Sequence, residues 1–180
     1  MEILNYLIVG IGLAMDAFAV CVCQGMALRG DKGTLAMKLG ITFGAFQAIM
    51  PWIGYHAGNV LSDRISSYGN IIAFIILVLI GINMIREAKK EEECHSINNI
   101  KTLMMLGVAT SIDALIVGFG FAFEGIGSIH LGAVVIGVVT FLISFVGTTI
   151  GYEIKGAVGN KAQYLGGGVL ILLGIKALLI

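Results

Sequence analysis

Two aspartates sit where acids are costly. Asp16 lies in the run Gly12-Leu-Ala-Met-Asp-Ala-Phe-Ala-Val-Cys21, and Asp113 in Thr110-Ser-Ile-Asp-Ala-Leu-Ile-Val-Gly118; they are 97 residues apart, each alone in an apolar stretch. Two carboxylates brought face to face repel unless a proton or a cation lies between them, and a divalent cation meets that need directly. Gln47 is the next polar group inside an apolar run, and Pro51 follows it by four residues. Proline has no N–H to give to the carbonyl four residues back. The Gln47 carbonyl therefore loses its helical partner, and a kink is expected there that frees a second oxygen beside the side-chain amide. Thr140 offers another oxygen. Thr110 and Ser111, just ahead of Asp113, add hydroxyls or carbonyls, although a hydroxyl in a helix ordinarily bonds back to the preceding turn. Asp16, Asp113 and Gln47 are thus the expected metal ligands, with Thr110, Ser111 and Thr140 as further candidates; the rival reading of Gln47 is a plain proline kink with its side chain bonded across helices. Such an oxygen set suits a hard or borderline cation such as Mn2+, Mg2+ or Ca2+. Met15, Cys21 and Cys23 place soft atoms nearby, but Cys23 is about 10 Å along a helix from Asp16, too far to share its ligand set.

The elements that carry these residues are membrane helices. The chain has 180 residues, 58% of them hydrophobic and 12% charged, with a mean hydropathy of +0.98. A soluble domain has about 25% charged residues, so the composition points to an integral membrane protein in contact with lipid. Net charge is zero and no basic block occurs, which argues against a nucleic-acid partner. Three cysteines do not make a disulfide framework. The start, Met1-Glu-Ile-Leu-Asn5, lacks a basic region and a cleavage site, so the first apolar segment is expected to stay in the mature chain. No phosphate-binding Walker pattern is present, and ATP hydrolysis is not expected.

Runs of the length needed to cross a bilayer, about 20 residues each, fall at 4–27, 35–60, 68–86, 101–123, 129–152 and 163–180. They are continuously apolar without alternation, so six transmembrane helices are expected rather than a barrel. The polar stretch at 91–100 divides the chain into halves of three helices each, 1–90 and 101–180. Arg29, Lys32, Lys38, Arg86, Lys89, Lys90, Lys101, Lys155 and Lys161 all fall on one side of this arrangement, against Arg64 and Lys176 on the other. The basic-rich side is expected to be cytoplasmic, which puts both termini outside.

The halves read as a repeat. A shift of 97 carries Gly10, Asp16, Ala17 and Val20 onto Gly107, Asp113, Ala114 and Val117. A shift of 93 carries Gly44, Gly54, Gly58 and Gly81 onto Gly137, Gly147, Gly151 and Gly174, and Gln47 onto Thr140. Three helices per repeat force the second half to enter from the opposite face, giving an inverted repeat of the kind transporters use to expose one central site alternately to either side. The spacings Gly40-x3-Gly44, Gly54-x3-Gly58 and Gly147-x3-Gly151 predict closely packed helices.

Several of these segments resemble one family. Gly12–Val20, Phe43-Gly-Ala-Phe-Gln-Ala-Ile-Met-Pro-Trp-Ile-Gly-Tyr55, Gly81-Ile-Asn-Met-Ile-Arg-Glu87 and Ala109-Thr-Ser-Ile-Asp-Ala114 are similar to the bacterial manganese efflux pumps of the MntP type, within the wider LysE-like exporter superfamily. The resemblance implies export of Mn2+ across the plasma membrane, with Asp16 and Asp113 central, Mn2+ as the transported substrate and no resident cofactor. Gln47 stands where some members carry Glu, which takes one negative charge out of the site. A secondary transporter, driven in our reading by proton exchange, is the expectation. Export of amino acids is the alternative, though no cationic or aromatic cradle is visible for an organic substrate. An intramembrane aspartyl protease would need Gly-x-Gly-Asp, whereas Asp113 follows Thr110-Ser-Ile112. A thiol-based electron carrier would need a cysteine in each half, and the mates of Cys21 and Cys23 are Gly118 and Gly120.

Overall fold

The structure, a computed structural model, describes residues 2–28, 30–62, 99–124 and 128–158, and these are helical apart from short connections. Five helices follow in order: α1 (Glu2–Ala27), α2 (Lys32–Ser62), α3 (Ile100–Ala109), α4 (Ile112–Glu124) and α5 (Ile129–Val158). The expected spans 68–86 and 163–180 lie outside the described residues. Among the described residues, three segments are long and apolar enough to cross a membrane: Ile3–Ala27, Ile100–Ala122 and Ile129–Ile154. The 31-residue α2 is longer than any of them but is not among the three, because Lys38, Gln47, Pro51 and His56 dilute its apolar run. It stays helical through Pro51.

Side-chain oxygens set the helix starts. Asp31 caps α2 by accepting from the Thr34 N–H at 2.7 Å, and Asn99 caps α3 by accepting from the Lys101 N–H at 3.0 Å. The span expected at 101–123 is one apolar segment, Ile100–Ala122, with a break inside it: α3 ends at Ala109 and α4 begins at Ile112. Consecutive hydroxyls account for it. Thr110 Oγ1 donates to the Leu106 carbonyl at 2.9 Å and Ser111 Oγ to the Gly107 carbonyl at 2.7 Å. Both compete with backbone N–H groups for the last carbonyls of α3, and the Ser111 N–H turns to Val108 instead, three residues back.

The packing is built from backbone approaching backbone. Gly54 of α2 lies against the Leu115 carbonyl of α4, Gly118 of α4 lies against Pro51, and Gly58 faces Phe119 and Ala122. Residue numbers rise together along this contact, so α2 and α4 run parallel. The pair α1 and α5 is made in the same way: Gly151 lies against the Val22 carbonyl, Gly25 against that of Thr148, and Gly147 against Phe18. The two pairs cross where α2 meets α5 in opposite directions. A Cβ on Gly44 would stand 2.9 Å from the Gly137 carbonyl oxygen, and one on Gly137 would stand 2.9 Å from that of Gly44. No side chain fits at such contacts, which is why these positions carry glycine.

Two apolar clusters flank the crossing. One joins Ala17 and Cys21 to Leu39, Phe43 and Leu103, with Val20, Leu35 and Leu106 against it. The other joins Leu13 to Ala114 and Ile136, with Val9, Met50 and Val117 against it. Polarity is inverted relative to a soluble domain: Met105 and Val134 are 72% and 61% exposed, while Gln47, Ser111, Thr140, Ser144 and Thr148 are fully buried. A surface of this kind is at home in lipid.

Candidate functional site

Gln47 stands at the centre. It projects from α2, one turn beyond the buried Phe43, and is itself completely buried. Its Nε2 donates to two backbone carbonyls, that of Leu13 in α1 at 2.9 Å and that of Thr110 at the α3–α4 break at 3.3 Å. Its Oε1 has no hydrogen-bond partner, and neither has the Oγ1 of the equally buried Thr140 on α5. A buried oxygen without a donor is costly, and each of these two is an acceptor left open inside the helix packing.

The aspartates follow these carbonyls by three residues each, about one helical turn. Asp16 comes after Leu13 on α1 and is exposed on the outer flank of that helix; Asp113 comes after Thr110 and is half-buried in the first turn of α4. The two are near enough for each charge to act on the other. Asp113 Oδ1 accepts from the Ala114 N–H at 2.7 Å. The break between α3 and α4 therefore has a chemical consequence, because a carboxylate in the first turn of a helix faces unpaired N–H groups and the positive end of the helix dipole. Asp16 has no such break beside it. An aspartate on an open flank at mid-helix has to face water, a cation or protein, since acyl chains would exact a large penalty.

Thr110 brings its carbonyl to this centre rather than its hydroxyl, which is spent on Leu106. Ser111 is buried and bonded back to Gly107 and Val108. Among the described residues, no group of three or more His, Cys, Asp or Glu side chains comes together. A cation held here would rely on two carboxylates supplemented by amide, hydroxyl and carbonyl oxygens, an oxygen set suited to hard and borderline metals.

Residues not singled out in the sequence also matter. Ser144 and Thr148 continue the line begun by Thr140 at spacings of four along α5, all fully buried, and the thiol of Cys21 on α1 lies against both. That spacing in an otherwise apolar helix was the available signal. At the far end of the same line Lys32 pairs with Glu153 and sits 5.4 Å above the Tyr152 ring. The hydrogen bond to Glu153 holds the Lys32 ammonium above its ordinary range, and hydrogen bonds from Thr34 hold the Asp31 carboxyl below its own.

Known proteins are similar to the chain along nearly its whole length. The model of a family described as "Putative manganese efflux pump" matches residues 31–178. Relatives bearing that description with the name MntP include one from Mannheimia succiniciproducens, 42% identical over 99% of this chain and 97% of its own length. Another from Methanosarcina mazei is 44% identical over 99% and 96%, and one from Methanothermobacter thermautotrophicus is 41% identical over 99% and 97%. No solved structure matches the chain. The chain thus belongs to the MntP family, a family of membrane transporters rather than enzymes.

Proposed function

We propose that this protein is a secondary transporter that exports Mn2+ from the cytoplasm across the plasma membrane, using a midplane site built around Asp16 and Asp113. Mn2+ is named by the relatives; the site reading is carried by Gln47. One amide ties together the carbonyls of Leu13 and Thr110, which are 97 residues apart and each one turn ahead of an aspartate. The unpartnered Gln47 Oε1 and Thr140 Oγ1 would supply the site with neutral oxygens in addition to the two acids.

An arrangement as two inverted repeats is supported by contacts that map onto one another. The shifts of 97 and 93 carry Ala17, Val20 and Phe43 of one cluster onto Ala114, Val117 and Ile136 of the other, and carry Val9 onto Leu106. The contacts of Phe18 with Gly147 and of Val22 with Gly151 become those of Leu115 with Gly54 and of Phe119 with Gly58. The reciprocal contact of Gly44 with Gly137 maps onto itself, as a twofold axis through that point requires. Helices α2 and α4 run parallel, the relation that a six-span arrangement gives to the second and fourth spans.

Each tightly packed pair, α1 with α5 and α2 with α4, takes one helix from each repeat. Rocking of one pair against the other about the Gly44–Gly137 crossing would open the centre to alternate sides. In this cycle cytosolic Mn2+ displaces protons from the aspartate pair, and protons from outside later displace the metal. The end carrying Lys32 and Glu153 is cytoplasmic on the distribution of basic residues, with both termini outside.

The test is cellular. In a strain lacking its own manganese exporter, the wild-type protein should restore growth in excess Mn2+ and lower cell manganese, and Asp16→Ala and Asp113→Ala should not. Failure of the wild type to protect, or full protection by both variants, would overturn the assignment.

A further inference from the structure

Among the described residues, three buried side-chain oxygens lack a hydrogen-bond partner: Gln47 Oε1, Thr140 Oγ1 and Ser144 Oγ. The neighbours of Ser144 on α5 show how unusual that is. Thr148 and Thr149 donate to the carbonyls four residues back, both at 2.9 Å, the option open to any helical Ser or Thr. Ser144 does not take it. Its polar neighbour is the weak thiol donor of Cys21, which also faces Thr148, and Gln24 lies almost fully buried one turn further along α1. Thr140, Ser144 and Thr148 thus form a line from the centre toward the Lys32–Glu153 end, along the seam where α5 meets α1 and α2.

Packing does not require this polarity. The shifts of 93 and 97 place Pro51, Tyr55, Gly118 and Phe121 at the positions equivalent to Ser144, Thr148, Cys21 and Gln24. The mates of the two hydroxyls, the thiol and the amide are thus a proline, a tyrosine, a glycine and a phenylalanine. The small polar groups, drawn from both repeats, line one side of the Gly44–Gly137 crossing and not the other.

We propose that Ser144, with Cys21 and Thr148 beside it, is a staging site at which the metal pauses between the Lys32–Glu153 end and the Asp16–Asp113 centre. This rests on the export reading above and deepens it by naming a second station and a source of selectivity. A metal bound here would release the Cys21 thiol proton, and the resulting thiolate among hydroxyl oxygens is a softer set than oxygen alone, which favours Mn2+ over the harder Mg2+ and Ca2+.

The experiment uses the full chain in inside-out membrane vesicles, with Mn2+ uptake followed for the wild type, Ser144→Ala, Ser144→Thr and Asp16→Asn. Ser144→Ala should raise the half-saturating Mn2+ concentration about fivefold, the effect of losing one contact of hydrogen-bond strength. Its maximal rate should hold, and Ser144→Thr should restore the affinity. Alkylation of Cys21 in the unsubstituted protein, mapped by peptide mass, should be slowed by Mn2+ and not by Mg2+. That arm decides the matter even if Ser144→Ala fails to accumulate. An unchanged half-saturation in Ser144→Ala, or a Cys21 that is never alkylated or is alkylated equally with and without Mn2+, removes the staging site. With Asp16→Asn inactive, the central site would survive that result. Wild-type uptake by Asp16→Asn would remove the central site and the staging site together.

Discussion

Replacing Gln47 by Leu separates the two roles of that side chain. The substitution removes the hydrogen bonds of Nε2 to the Leu13 and Thr110 carbonyls at 2.9 and 3.3 Å. At a net contribution of about 0.5–1.5 kcal/mol for a good bond and less for the longer one, the loss is about 1.5 kcal/mol. The same substitution also removes the buried Oε1, which has no partner. An unsatisfied buried acceptor costs about 1–3 kcal/mol, so the two changes nearly cancel. Gln47→Leu should therefore fold, and in detergent should unfold within a few degrees of the wild type. Transport should fall at least about tenfold, because a neutral ligand oxygen is gone. Mn2+ should raise the unfolding midpoint of the wild type more than that of the variant, since a ligand stabilises the state it binds. Wild-type transport by Gln47→Leu would show that Oε1 is no ligand. A collapse of thermal stability would show instead that Gln47 is a structural clamp and that the orphaned oxygen costs little.

Thr140→Val should behave in the same way, with stability kept or raised and transport reduced, read by vesicle uptake alongside thermal unfolding. Gly118→Ala should be strongly destabilising, because a Cβ there runs into the Pro51 backbone and α2 must part from α4; overpacking of this kind costs about 1–3 kcal/mol or more. Gly12→Ala on α1 is the control: a Cβ there meets nothing within 4 Å, and the helix should gain about 0.5–1 kcal/mol. Asp31→Ala should lower the unfolding midpoint at neutral pH. The folded carboxyl is held below its ordinary range, so its contribution is present above the unfolded value of about 4 and is lost as pH falls through the folded one; at strongly acid pH the variant and the wild type should converge. Glu153→Gln should alter stability little and in a salt-dependent manner, since both partners of the Lys32 pair are largely exposed, and a scan at low and high salt reads this directly.

The sequence by itself determined the membrane class, the places of the long apolar helices, and the positions of the polar residues held inside them. The reason is that crossing lipid demands about 20 apolar residues and penalises every exception, so Asp16, Gln47 and Asp113 stand out without any coordinates. The span expected at 4–27 is α1, Glu2–Ala27, and that expected at 129–152 is the core of α5, Ile129–Val158. Apolar periodicity says which face a helix buries but not against which partner. Only the tertiary structure decided that α1 packs on α5 and α2 on α4, through glycines whose spacing is common to many membrane helices. The break at Thr110–Ser111 was hidden because hydroxyls in membrane helices usually bond back without ending the helix; here the Ser111 hydroxyl takes the Gly107 carbonyl, the Ser111 N–H shifts to Val108, and Asp113 is left in the first turn of α4. Nor could the sequence say that Gln47 would spend its amide nitrogen on the carbonyls of Leu13 and Thr110 while leaving its oxygen unpaired, or that Ser144 Oγ would make no bond to the preceding turn while Thr148 Oγ1 donates to the Ser144 carbonyl. Those choices depend on which helices meet at the crossing, and that contact is made largely through glycine backbone, which carries little side-chain signature.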